Sequence, residues 1–147
     1  MSILVTSPAF SDGGAIPRKH TCDAENLSPS LSWTGIPAQT SSLVLVVDDP
    51  DAPGRIFVHW LLYDIPPDQT GLPEGVKGVG TPGTNDFRQL GYGGPCPPRG
   101  TAHRYFFKLY ALDVRLDLKA GLGKSDLEKA MKGHILAQGQ LMGKYSR

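Results

Sequence analysis

Two stretches of the chain carry apolar residues at both odd and even positions, the pattern of a strand covered on both faces. Residues 42–48 do so through Leu43, Val44, Leu45, Val46 and Val47. Residues 55–65 do so with Phe57, Leu61 and Tyr63 in one set and Ile56, Val58, Trp60 and Leu62 in the other. Pro66-Pro67 ends that run, because proline cannot donate to a ladder. Residues 103–114 form the third long strand. Shorter alternations predict brief strands at 2–6, closed by Ser7-Pro8, and at 31–33, cut by Gly35 and Pro37. Ser125-Asp126-Leu127-Glu128 has the form of a capping box and predicts a short helix running to Lys132. Beyond it, Ala137, Gly139, Leu141, Gly143 and Tyr145 alternate with Gln138, Gln140, Met142, Lys144 and Ser146. A helix there would carry about 1 kcal/mol for each glycine, so a closing strand is predicted.

The remaining segments, 10–29 and 68–99, are turn-rich. The chain holds 18 glycines and 13 prolines, about one residue in five against about one in eight usually. That excess argues against a helix bundle. No repeat or linker divides the chain, and residues 1–147 read as a single domain. The expected architecture is mainly β: an antiparallel β-sandwich of Greek-key-like type, with one or two short helices and long Gly/Pro-rich loops.

Charge adds mainly exclusions. Fifteen Lys and Arg against fourteen Asp and Glu leave +1, too little for a global field that draws nucleic acid or anionic membrane. No apolar run approaches the ~20 residues of a membrane span. The N-terminus has no basic segment followed by a long apolar one, so the expected location is the cytoplasm. There Cys22 and Cys96 are expected as two reduced thiols.

Counting by twos along the long strands places the polar residues. Asp49 falls in phase with Leu43, Leu45 and Val47, and Asp48 on the opposite face. His59 falls in phase with Phe57 and Leu61, while His103 and Tyr105 fall in phase with Phe107 and Leu109. Each strand thus sets an ionisable or polar group among apolar neighbours. One such group alone is most simply a satisfied core residue. Three together suggest a site, because a buried carboxylate needs partners and histidines supply them. Asp49-Pro50-Asp51-Ala52-Pro53 holds two carboxylates on a stiff loop, and aiming both inward from a strand end calls for a cis X-Pro bond. Gly91-Tyr92-Gly93-Gly94-Pro95-Cys96-Pro97-Pro98-Arg99-Gly100 allows close approach and a rigid rim. It lacks the Gly-Lys-Ser/Thr ending of a P-loop, and a strand rather than a helix follows it.

These motifs resemble the phosphatidylethanolamine-binding proteins, which include the Raf kinase inhibitor proteins. The resemblance rests on Asp49-Pro50-Asp51-Ala52-Pro53, on Phe57-Val58-His59-Trp60, and on the glycine-proline loop ending in His103-Arg104-Tyr105. Ser28-Pro29-Ser30-Leu31-Ser32-Trp33, Thr84-Asn85-Asp86-Phe87 and Gly133-His134-Ile135-Leu136 look like the bacterial branch. The resemblance implies a small anion pocket. Asp49, Asp51, His59, His103 and Tyr105 would be its polar groups, and Phe57 and Pro97 its walls; Cys96, set between prolines near His103, reads from that setting as a further wall residue rather than a nucleophile.

The expected function is non-catalytic binding of a small phosphate- or carboxylate-bearing ligand such as a phospholipid headgroup; if both histidines carry charge, the two aspartates balance it. No cofactor is implied. His20-Thr21-Cys22 lacks the second close pair of a zinc site. Arg104 is expected to brace an acidic group on the other face, and His134 to serve a structural role. A protein partner and a homodimer are both compatible with this reading; nucleic acid and membrane insertion are not. The competing readings are a hydrolase using an Asp–His pair or Cys96, and a protein inhibitor docking through the pocket.

Overall fold

The computed structural model describes residues 2–147 and is mainly β. The strands are β1 (Leu4–Thr6), β2 (Gly14–Ala15), β3 (Leu31–Thr34), β4 (Ser42–Asp49), β5 (Phe57–Ile65), β6 (Gly71–Leu72), β7 (Thr81–Pro82), β8 (Ala102–Leu112) and β9 (Ile135–Ser146). A 3-10 turn spans Arg18–His20, and one helix, α1, spans Lys124–Met131. Six strands form one sheet in the order β2-β9-β8-β4-β5-β7, and three form a second in the order β1-β3-β6. The long strands β4, β5, β8 and β9 pair antiparallel, while the short β2 adds to β9 in parallel. The two runs that are apolar on both faces, β4 and β5, lie inside the large sheet and are buried on both sides, whereas the neighbouring β8 alternates between buried and more exposed positions.

The two faces of the large sheet pack differently. Leu43, Leu45 and Val47 of β4 share a core with Trp33, Leu72, Phe107 and Leu141, so this core lies between the two sheets. Val44, Val46, Leu61 and Tyr63 form a second cluster that α1 covers with Leu127 and Met131. The helix begins at Lys124, one residue before the predicted start. Gly123 is its N-cap residue and no side chain caps it, so Ser125 lies inside the first turn and makes no capping box. The closing strand is two residues longer than predicted. Gly139 and Gly143 are required there by close approach: a Cβ on Gly139 would overlap the carbonyl of Ile3, and one on Gly143 would meet Ile16 and Phe10. Among the described residues no helix is long and apolar enough to cross a membrane.

Two irregularities matter for the site. The pairing of β4 with β5 steps from Val47↔Trp60 to Asp48↔Val58, so His59 is an extra residue in β5, a β-bulge. The phase of β5 therefore changes at His59, and Leu61 joins Val58 and Tyr63 on the helix-covered face instead of following His59. The second is the Asp49–Arg55 loop. No peptide bond in it is cis, contrary to the sequence expectation. Its bend comes from the Asp51 amide donating to Asp49 Oδ1 at 2.7 Å, the Arg55 amide donating to the Ala52 carbonyl, and Gly54 at φ 75°.

Candidate functional site

At the Asp49 end of β4 the sheet opens into a cavity of about 210 Å³ lined by Asp49, Phe57, His59, Phe87, His103 and Tyr105, and rimmed by Ala52, Pro53, Cys96, Pro97 and Pro98. Asp49 arrives from the last position of β4, His59 from the bulge in β5, and His103 and Tyr105 from the first turns of the pleat in β8. The bulge turns His59 towards the same cavity as Phe57, while Trp60 beyond it returns to the core.

The centre of the site is a buried pair. His103 Nδ1 donates to Asp49 Oδ2 at 2.6 Å, with both side chains almost wholly covered. The other Asp49 oxygen accepts the Asp51 amide. The carboxylate is thus fully engaged on its protein side, and it fixes the ring of His103 with Nε2 facing away from it.

His59 is held differently. Its Nδ1–H donates to the Gly93 carbonyl at 2.7 Å, which settles the tautomer because a carbonyl only accepts. Burial holds its pKa below the ordinary histidine value, outweighing the Gly93 and Gly94 carbonyls and the Asp49 and Asp86 charges that favour the cation. In its neutral form, with Nδ1–H on the Gly93 carbonyl, the buried ring carries a lone pair on Nε2. The lowered pKa runs against a reading in which both rings carry charge. Tyr105 is also neutral, since burial first and then the charges of Asp49 and Asp51 raise its phenol well above the ordinary value.

The aromatic wall is continuous. Phe57 and Phe87 meet edge-on at 4.8 Å between centroids, and His59 contacts Phe57, Phe87 and Tyr105 at 5.0, 5.4 and 5.1 Å. Phe87 is set by Asn85, whose Oδ1 accepts the Phe87 and Gln89 amides while its Nδ2 donates to the Gly91 carbonyl. Asp86 closes the mouth of β5 by accepting the Val58 amide at 2.7 Å and the Arg55 guanidinium at 2.9 Å. Gly93 can be nothing larger, because a Cβ would overlap the Phe87 ring.

Of the residues expected to line the pocket, Asp49, Phe57, His59, Cys96, Pro97, His103 and Tyr105 do so. Asp51 does not. Its carboxylate turns outward to Arg104, accepting Nη2 at 2.8 Å on one oxygen and Nε and the backbone amide at 2.9 Å on the other. The Arg104 hydrogen bonds lower its pKa to about 2. Arg104 does brace an acid, as expected, and the acid is the one the motif had assigned to the pocket. Phe87, Ala52, Pro53 and Pro98 were missed as wall residues; Phe87 is separated from the other motifs by a loop whose return the sequence does not display. On the opposite face Asp48 is buried between Lys108 and Lys124, each 3.1 Å away, as its phase requires. His134 pairs with Asp113 at 2.9 Å, away from the cavity.

Cys22 and Cys96 form a disulfide, in place of the two reduced thiols expected. The loops carrying them are laid together by the Cys22 amide donating to the Pro95 carbonyl, the Gly94 amide to Asn26, and the Tyr92 hydroxyl to the His20 carbonyl. Arguing from compartment to thiol state missed this, because spacing in sequence does not reveal two loops meeting. His20, considered beside Cys22 for a metal, donates its Nδ1–H to the Leu27 carbonyl at 2.9 Å.

A more open recess of about 520 Å³ lies elsewhere, at Asp64, Gln69, Arg115 and Asp117. Asp64 there is already occupied by the Leu116 and Leu118 amides, and no buried pair of ionisable groups faces it.

Comparison with known proteins agrees with this geometry. The family model described as phosphatidylethanolamine-binding protein matches residues 6–146. A UPF0098 protein of Methanothermobacter thermautotrophicus is 52% identical over 145 residues, covering 95% of each chain. One from Aquifex aeolicus is 47% identical, covering 97% of this chain and 88% of its own. Among solved structures, the phosphatidylethanolamine-binding protein homolog CT736 of Chlamydia trachomatis superposes with a TM-score of 0.95 at 41% identity, covering 99% of this chain and 98% of its own. E. coli YbcL, described as a member of the mammalian family, gives 0.92 at 31% identity over 100% and 99%. With the family model matched over residues 6–146 and a relative 52% identical across 95% of each chain, the chain belongs to the phosphatidylethanolamine-binding protein family.

Proposed function

We propose that this protein is a non-catalytic module that binds a small ligand through a phosphate or carboxylate group in the Asp49–His103 cavity. The observation that carries the reading is the 2.6 Å Asp49–His103 bond at the base of a cavity of about 210 Å³. With Asp49 on one nitrogen balancing the charge of a doubly protonated ring, the other N–H of His103 is the charge-assisted donor to an incoming anion. Tyr105 stands beside it with a neutral hydroxyl. The aromatic and proline walls leave space for a small group rather than a long chain, and they exclude water from the ionic contact.

A binding role is supported over the thiol form of hydrolysis by the state of Cys96. Cys96 is held in a disulfide, so that form of the protein has no thiolate there. The pocket would serve equally as the anchor of a regulator on a partner protein. The test is a thermal-shift and calorimetric titration with phosphate, acetate and phosphoethanolamine. The native protein is expected to be stabilised by at least one of them, and His103→Ala to lose about tenfold or more in affinity, about 1.4 kcal/mol. Turnover of simple phosphate or acyl esters that disappears in His103→Ala would replace the binding reading with an enzyme.

A further inference from the structure

Oxyanions differ in whether they carry a proton, and the cavity presents different groups to different oxygens. His59 Nε2 and the Tyr105 hydroxyl are not hydrogen-bonded within the protein, yet among the described residues Thr40 Oγ1 is the one buried side-chain polar atom without a partner. Both groups therefore open onto the cavity that their residues line. The inventory facing a ligand is then uneven. Tyr105 offers an O–H, and His103, whose partner is a carboxylate that balances a doubly protonated ring, offers Nε2–H. His59 is buried with a carbonyl as its partner, and with its Nδ1–H spent on Gly93 the neutral ring offers a lone pair.

Around His59, Asp49 lies on the β4 side, His103 and Tyr105 on β8, and Asp86 with its partner Arg55 at the mouth of β5. The two carboxylates would favour a charged ring, but burial outweighs them. A bare oxyanion oxygen placed against His59 would meet lone pair with lone pair. A ligand hydroxyl there would donate.

We propose that the pocket takes its anion in a protonated form: His59 accepts the hydroxyl proton of the ligand at Nε2, while His103 and Tyr105 donate to its bare oxygens. The proposal rests on the anion-binding reading and narrows it. The ligand class becomes phosphate and phosphate monoesters, whose second ionisation lies near pH ~6 and which keep a P–OH on the acid side of it. Phosphodiesters and sulfate carry no such proton at that pH. The linkage inside an intact phospholipid is a phosphodiester, so the proposal places free phosphate monoesters ahead of membrane lipid as ligands of this chain. No bond is made or broken; the proton stays on the ligand and is shared in a hydrogen bond. Sites built around a hydroxyl reject analogues that lack it, because their polar group is left unpaired.

The experiment is a calorimetric comparison of methyl phosphate, inorganic phosphate, dimethyl phosphate and sulfate at pH ~6, on the native protein and on His59→Gln. Methyl phosphate and phosphate are expected to bind at least about tenfold more tightly than sulfate and dimethyl phosphate. Sulfate is the sharper control, because its greater negative charge would favour it if charge alone decided. In His59→Gln, whose amide can turn an N–H to the ligand, the preference for phosphate over sulfate is expected to shrink to about threefold or less. Should that variant fail to fold, the native ratio decides alone. Sulfate binding within about threefold of phosphate in the native protein overturns the proposal and leaves anion binding intact. Failure of all four to bind overturns both.

Discussion

The amide of Asp51 donates to Asp49 Oδ1 at 2.7 Å, and in doing so the turn sends the two carboxylates to opposite sides of the loop. Asp49 keeps His103 inside the cavity; Asp51 holds Arg104 outside it. Two residues that look equivalent in the motif thus have separate tasks.

Replacing the inner one should be severe. Asp49→Ala removes one member of a buried charged pair and frees the ring of His103, which costs about 3–5 kcal/mol. Asp48→Ala leaves Lys108 and Lys124 partly exposed and able to find water, so about 1.5–3 kcal/mol is expected, with phosphate affinity unchanged within about threefold. Denaturant titration and calorimetry on both variants check the contrast.

Asp51 governs the acid limb of stability. Its folded pKa of about 2 lies below the ordinary 3.8, so its contribution is complete above pH ~4 and is lost as pH falls towards 2. Asp51→Asn should flatten that part of the stability profile. It should weaken phosphate binding far less than Asp49→Ala does, because the amide that holds Asp49 remains.

His59 acts in the opposite sense to a salt-bridged histidine. Its pKa is lowered in the fold, so the unfolded chain takes up a proton first as pH drops below about 6.5. Stability should therefore decline from pH ~7 downward, and His59→Gln should remove that portion of the slope. Denaturation of both proteins in an anion-free buffer series measures the difference.

The disulfide closes a loop of 74 residues in sequence separation, worth about 4 kcal/mol in the chain-entropy account. Cys22→Ser should lower the melting temperature accordingly. Cys96→Ser should do the same while keeping phosphate affinity within about tenfold, since Cys96 contributes wall and not charge. Without reductant, the folded native protein should resist alkylation at both cysteines.

Much of this site was legible because strand phase is a strict rule. Asp49, Asp48, His103 and Tyr105 lie on regular stretches of β4 and β8, and counting by twos put each on its observed face. The same count placed His59 beside Phe57 but carried Leu61 along with it, because a bulge adds a residue without leaving a mark in the pattern. Asp51 was misplaced since its direction is chosen by Arg104, a partner 53 residues away. Phe87 and the Cys22–Cys96 bond likewise depend on which loops meet. The short helix was found, yet its start was shifted, because a plausible capping serine was present and the backbone used Gly123 instead.

The central claim is that an anion contacts His103 from inside the cavity. Its most direct measurement is an imidazole nitrogen NMR titration of the intact protein with phosphate at pH ~6. The account predicts a saturable shift of the outer nitrogen of His103, a protonated Nδ1 on His59 throughout, and unmoved signals for His134 on the far side. Saturable binding that leaves His103 unmoved would contradict it and put the ligand elsewhere.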